Sequence, residues 1–157
     1  MARLVLISGL PGAGKTTLAR ELEVEIAAVR LSGDEWMQLL GVDLHDEAAR
    51  DRMERLFWML AQRLLALGLS VILESGFWLR ADRDEKRLGA RALGIAVELR
   101  YLEAPLEERW RRISLRNRSP LWSRSPITRQ QLASWDAFFE VPGPDETALF
   151  DPPRAGV

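Results

Sequence analysis

The sequence predicts an α/β domain built in three layers, with a mainly parallel five-stranded sheet between helices and an arginine-rich lid. Three observations carry this expectation. Short apolar runs alternate with stretches of helical periodicity. A glycine-rich turn joins the first apolar run to the first helix. One segment, Arg109 to Arg129, holds seven arginines and no acid. In such a sheet the crossovers are right-handed and ligands bind at the carboxyl ends of the strands, so residues that follow strands are the expected binding positions.

The first strand is RLVLIS, 3–8, followed by the glycine turn and the helical stretch KTTLARELEVEIA. AAVRLS, 27–32, is the second strand; Gly33 and Asp34 follow it, with Asp34 suited to cap a helix that starts at Glu35. Residues 46–67 form one long amphipathic helix, because Met53, Leu56, Phe57, Leu60, Leu64 and Leu67 recur at helical spacing, and Gly68 ends it. SVILE, 70–74, is the third strand, and Arg80 to Leu93 is a charged helix closed by Gly94. IAVELRYLE, 95–103, is the fourth strand; Pro105 then opens a helix that runs to about Arg118. A helix over Thr128 to Phe139 and an edge strand at 148–150 complete a domain over 1–150, with a lid at about 109–127 and a tail at 151–157.

At 157 residues, with 47% hydrophobic and 29% charged residues, the chain can bury one ordinary core. It has no cysteine, which excludes disulfides, thiolate metal sites and cysteine nucleophiles. The apolar start is interrupted by Gly9, Pro11 and Gly12 well short of the roughly 20 residues of a membrane span, so a cytoplasmic location is expected. Net charge is −1, which supplies no molecule-wide field toward nucleic acid or membranes. The sequence specifies no oligomeric state.

Residues 9–16, GLPGAGKT, satisfy the G-x-x-x-x-G-K-[ST] spacing of a phosphate-binding loop between a strand and a helix. Gly9, Pro11, Gly12, Ala13, Gly14 and Thr17 shape a turn whose amides face a common centre, to which the helix N-terminus adds partial positive charge. Lys15 is placed to reach the β- and γ-phosphates of ATP, and Thr16 to offer its hydroxyl to Mg²⁺. Lys15 is one of only two lysines beside twenty arginines, which suits a position where a planar guanidinium fits poorly.

The remainder of the chain narrows the class. No Asn/Thr-Lys-x-Asp segment exists to read guanine, and the chain has no room after its core for the helical lid domain of ring-forming ATPases. Asp34 projects from the same sheet edge as the glycine loop and can accept the proton of an acceptor hydroxyl, or act only as a helix cap. Glu74 ends the third strand, where a carboxylate can hold Mg²⁺ or remain a solvated strand-end acid; Asp34 can hold the metal's water instead. Arg109, Arg112 and Arg116 share one helix face, as expected for a lid that clamps phosphates or for a solvated basic face.

The combination of GLPGAGKT, SGDEW after strand two, VILESGFW at strand three and the RWRRISLRN helix resembles the P-loop kinases related to polynucleotide kinase, zeta toxins and chloramphenicol phosphotransferase, a group of AAA-type ATP-binding kinases. The resemblance implies the P-loop NTPase three-layer sandwich. It also implies phosphate and Mg²⁺ binding by Lys15 and Thr16, a base at Asp34, and phosphate clamping by Arg112 and Arg116. The chain departs from it at Met37, where polynucleotide kinases tend to carry an arginine for the acceptor's phosphate. Trp36, Met37, Phe77 and Trp78 instead suit a flat or partly apolar alcohol, although core packing accounts for them equally well. Trp58 faces core or substrate, Pro142 to Glu146 flanks the adenine or forms a plain turn, and His45 is read as a surface residue.

The function expected is ATP-dependent transfer of the γ-phosphoryl group to a hydroxyl of a small molecule or nucleoside. Its alternatives are a nucleic-acid 5′-hydroxyl kinase and a non-catalytic ATP-binding switch. Met37 favours the small acceptor over nucleic acid.

Overall fold

Strand β1 (Arg3–Ser8) is buried almost throughout and pairs in parallel on both sides, with β3 (Val71–Gly76) and β4 (Ala96–Tyr101). The short β2 (Val29–Leu31) adds to β3, giving an all-parallel sheet in the order β2-β3-β1-β4. The computed structural model describes residues 1–154. Continuous apolar runs make these strands because both faces of the sheet are covered, so no alternation of polar residues is needed.

The covering helices follow their strands. Helix α1 (Lys15–Glu25) packs Ala19 and Leu22 on the face that carries Val5, Ile7 and Ile72. On the opposite face, α3 (Glu47–Ala66) contributes Phe57, Ala61 and Leu65, and α4 (Arg80–Ala92) contributes Ala90, against Leu4, Leu6, Leu73 and Val97. Between them α2 (Gly33–Leu39) follows β2 at once. Helix α5 (Leu106–Asn117) and α6 (Arg129–Trp135) build a separate apolar cluster of Ile113, Ile127 and Leu132, with Trp110 and Trp135 packed against it. Asn117 holds their connection by donating to the Ile127 carbonyl (2.7 Å) and accepting from its amide (3.1 Å).

Three expectations are corrected. Among the described residues the sheet has four strands, not five: residues 148–150 follow the short helix α7 (Pro144–Thr147) as a turn. The free edge of β4 is instead closed by one residue, since the Asp151 amide donates to the Val97 carbonyl (2.8 Å) and the Asp151 carboxylate accepts from the Val97 amide (2.7 Å). Asp151 and Arg154, expected in a tail, are therefore tied to β4, the Arg154 amide donating a hydrogen bond to the Glu98 carboxylate (3.2 Å); residues 155–157 lie outside the described residues. Helix α2 begins at Gly33 with Ser32 in the cap position, so Asp34 sits within its first turn and its carboxylate is not a cap.

The exit of β3 is held by an element that the sequence does not advertise. Phe77 has a left-handed backbone (φ 47°), unusual for a residue with a side chain. Its carbonyl accepts from Ser8 Oγ (3.1 Å) and from the fully buried Arg83 (2.8 Å). Arg83 also donates to the Glu140 carbonyl (2.8 Å) and to both carboxylate oxygens of Glu146 (2.6 and 2.9 Å). Glu146→Ala leaves that guanidinium buried without its counter-charge and is expected to cost about 3–5 kcal/mol in urea unfolding. The double replacement of Arg83 and Glu146 by methionine is expected to cost clearly less, because no charge is then stranded.

Candidate active site

The glycine loop rises from β1 and is pinned to β3 by Gly9, whose amide donates to the Gly76 carbonyl (2.9 Å). Gly12 has φ 82°, and a Cβ there would lie 2.7 Å from the carbonyl oxygen of Arg109, so only glycine lets α5 lie against the loop. Gly14 caps α1 in the left-handed region with no side-chain bond to the first turn, which leaves the helix's leading amides available to an anion. Gly9 and Ala13 shape the loop from beneath. Pro11, Gly12, Gly14, Lys15, Thr16 and Thr17 line a cavity of about 1140 Å³ that continues past Asp34 to α3 and α4.

Carboxylates and cations meet there. Thr16 Oγ1 donates to Glu74 Oε1, while Glu74 Oε2 accepts from Arg30 (3.1 Å), which also pairs with Glu35 (2.6 Å). Asp34 Oδ1 accepts from Arg50 Nη1 (2.7 Å), and the second nitrogen of the fork donates to the Leu44 carbonyl (2.7 Å). Lys15 Nζ donates to the Leu10 carbonyl (3.0 Å). Burial lowers the Lys15 pKa to about 8; Asp34 and Glu74 oppose the shift, and Arg116 and Arg50 reinforce it. The Arg116 guanidinium lies 4.0 Å over the ring of Trp122 and its buried Nε has no hydrogen-bond partner; burial also lowers its pKa, against the attraction of Asp34.

Most of the residues marked in the sequence converge. Lys15, Thr16, Asp34, Glu74, Arg112 and Arg116 all line the cavity, with Arg112 Nη1 donating to the Gly12 carbonyl (2.9 Å). Phe77, Met37 and Trp78 line it as well, the first two buried beneath its wall and Trp78 packed on Trp135 (5.7 Å between rings). Arg109 and Trp36 do not. Arg109 is turned inward, donating to the Ala104 carbonyl (2.9 Å) and to Asp136 (2.6 Å), so the shared helix face splits into one buried and two cavity-facing arginines. Trp36 packs edge-on against Phe57 (5.0 Å).

Acids from outside the arginine-rich segment also reach into it: Glu108 pairs with Arg111 and Arg112, and Glu107 with Arg129. His45, at the surface, donates from Nε2 to the Pro126 carbonyl (3.1 Å), and Asp43 accepts from Ser125 Oγ (2.8 Å), so the lid tip rests on the loop between α2 and α3. Glu146 is committed to Arg83, away from any base-binding role for its side chain. Arg30, Arg50, Glu54 and Trp122 line or support the site without a sequence motif. The only available signal was the i, i+4 placement of Arg50 and Glu54 on the long helix, which many surface pairs share.

A family model described as an AAA domain matches residues 4–142. Among solved structures similar to the chain, a sugar kinase from Janibacter sp. HTCC2649 is 25% identical, with a TM-score of 0.67 over 94% of this chain and 83% of that one. Kti12 from Chaetomium thermophilum, in complex with ADP-AlF3, is 22% identical with a TM-score of 0.72, covering 95% of this chain and 86% of its own. The APS kinase CysC of Mycobacterium tuberculosis, in complex with AMPPNP and APS, is 23% identical with a TM-score of 0.59 over 81% and 76% of the two chains. No curated protein matches. No helix among the described residues is long and apolar enough to cross a membrane.

The lowered Lys15 pKa has a measurable consequence. A triphosphate seated at the glycine loop would select the ammonium form, which the free protein loses as pH rises through about 8. Affinity for ATP, followed with a fluorescent analogue, is expected to be flat below that pH. Above it, affinity should fall by up to about tenfold per unit, with uptake of one proton on binding. In Lys15→Met the affinity is weak at every pH and this slope is absent.

Proposed function

The chain belongs to the AAA-domain family, and on that premise we propose that it is a cytoplasmic ATP-dependent phosphotransferase that moves the γ-phosphoryl group to a hydroxyl of a small molecule or nucleoside. The observation that carries this reading is the convergence of Lys15, Asp34 and Arg116 on one cavity beside the glycine loop. The sugar kinase and APS kinase likenesses support a phosphotransferase in general.

In this reading the acceptor oxygen attacks the γ-phosphorus as its bond to the β–γ bridging oxygen breaks. ADP leaves with that electron pair, and the acceptor's proton passes to Asp34. Arg50 occupies Asp34 Oδ1, which fixes the carboxylate plane and leaves Oδ2 for the acceptor. Lys15 exchanges the Leu10 carbonyl for phosphate oxygens, and the partnerless Nε of Arg116 gains an acceptor when negative charge spreads over the transferring group. The lid tip, resting on the α2–α3 loop, excludes water that would otherwise take the phosphoryl group.

Thr16 and Glu74 are adjacent hard oxygen donors, as Mg²⁺ prefers, and the described residues contain no cluster able to hold a metal by themselves. They would hold such an ion beside the nucleotide, where it would neutralise charge on the phosphates. Met37 is wholly buried, and several arginines of the lid segment are already paired, which favours a small acceptor over a nucleic-acid end.

Asp34→Asn is expected to lower acceptor-dependent ADP release by about 10²–10⁴-fold while ATP affinity is retained. A library of small alcohols and nucleosides, read by ADP release, supplies the assay. Full transfer in Asp34→Asn would remove Asp34 from the role of base.

A further inference from the structure

In a chain rich in arginine, nearly every acid withdrawn from solvent has a partner. Asp34 is paired with Arg50, Glu74 with Arg30, Asp84 with Arg87, Glu98 with Arg100 and Glu146 with Arg83. Glu54 on α3 is the exception: it is half-buried, and among the described residues it makes neither a hydrogen bond nor an ion pair. Its cationic neighbours are engaged elsewhere. Arg50, one turn earlier, holds Asp34 and the Leu44 carbonyl, and Lys86 on α4 donates to Glu85 (2.6 Å). Burial raises the Glu54 pKa; Arg50 opposes this, and Asp82 and Asp51 add to it. A carboxylate held this way costs free energy that no contact within the protein returns.

Its surroundings point to a ligand. Glu54 lines the same cavity as the glycine loop and Asp34. On α3 it lies four residues beyond Arg50, about 6 Å along the helix, so one small ring could reach both the carboxylate held by Arg50 and Glu54 itself. The next turn carries Trp58, which also lines the cavity and is fixed against α4, where a Cβ on Gly89 would fall 2.5 Å from its ring. A rigid indole beside an unsatisfied acceptor matches a ring with apolar C–H faces and a polar periphery. The same carboxylate repels an acceptor that ends in phosphate or carboxylate.

We infer that Glu54 anchors the phosphoryl acceptor, and that this acceptor is a carbohydrate-type polyol which donates an O–H or N–H to Glu54 while another hydroxyl lies at Asp34. The reaction rests on the kinase reading; the binding does not.

The test uses the full chain with a panel of neutral hexoses and amino hexoses, D-gluconate, and an oligonucleotide with a 5′-hydroxyl. Binding is read from tryptophan fluorescence without turnover, and transfer from ADP release with Mg·ATP. A neutral or amino hexose is expected to bind, and Glu54→Ala to weaken it about tenfold or more, the loss that a hydrogen bond to a charged group implies. A fluorescent ATP analogue is expected to bind Glu54→Ala as it binds the parent. Glu54→Gln separates the two donors: the amide oxygen still accepts from a hydroxyl, whereas an ammonium-bearing sugar loses as much as with alanine. Both variants remove an unpartnered charge from a helix, so their melting temperatures should be no lower than the parent's.

Hexose affinity indifferent to Glu54→Ala, no hexose binding at millimolar concentration, or preference for gluconate or the oligonucleotide overturns the inference. Transfer to a hexose without dependence on Glu54 overturns it while leaving the kinase reading intact. Glu54-dependent hexose binding without ADP release supports it and counts against the kinase reading alone.

Discussion

The site hangs from the parallel pairing of β1 on both of its sides. Leu4 to Leu6 align with Val71 to Leu73, and Arg3 to Ser8 with Ala96 to Tyr101, so three strands release their chains at one edge. The register with β3 slips between Leu6 and Ser8, where Ser8 comes opposite Gly76. That slip brings the Gly76 carbonyl to the amide of Gly9 and thereby joins the glycine loop to the exit of β3. The amide of Leu102 donates to the Ser8 carbonyl (2.8 Å) on the other side, and the chain then enters α5. The glycine loop, the strand that carries Glu74 and helix α5 are thus fixed relative to one another by backbone hydrogen bonds before any site side chain contributes.

Charge organises what the backbone has assembled. Lys15 lies between two carboxylates and two guanidiniums in a place poor in water, and desolvation outweighs the attraction of Asp34 and Glu74. The carboxylates are themselves drawn outward, Asp34 to Arg50 and Glu74 to Arg30, so neither forms an ion pair with Lys15. The ammonium makes do with one carbonyl of its own loop. A group in that condition gains more from a phosphate oxygen than one already matched to a carboxylate, because Asp34 and Glu74 are committed to other cations.

The parts legible in the sequence are those set by short-range rules. The glycine spacing identifies the loop, Gly68 ends the long helix, and Thr128 starts a helix where the structure shows it as the cap of α6, in a capping box with Gln131. What escaped depends on distances across the chain. An arginine at 83 reads as one more charge on an exposed helix, yet it is the most deeply buried cation, because the segment around Glu140 and Glu146 returns to it after some sixty residues. Arg109 shares a helical face with Arg112 and Arg116 but takes its partners from Ala104 and Asp136, which periodicity cannot foresee. Residues 148–150 have strand-like composition and no neighbouring strand to pair with; the single clasp from Asp151 satisfies the edge of β4 instead.

The lid differs from the rest in how it is held. Internally it has its own apolar cluster, Ile113, Ile127 and Leu132, and the Asn117 clasp across the connection of α5 to α6. Externally its tip meets the body through polar contacts, among them Ser125 on Asp43, His45 on Pro126, and Gln38 on the Leu121 carbonyl (2.7 Å). Each such bond is worth about 0.5–1.5 kcal/mol, whereas emptying a core position costs about 2–5 kcal/mol. The tip contacts are therefore weaker, bond for bond, than the packing within the segment. Arg116 takes its partner, the face of Trp122, from the same connection, so its placement does not rest on the tip contacts. Among the described residues it is the one cavity-lining arginine of this segment without an anionic partner, and its position is set by the segment's own packing.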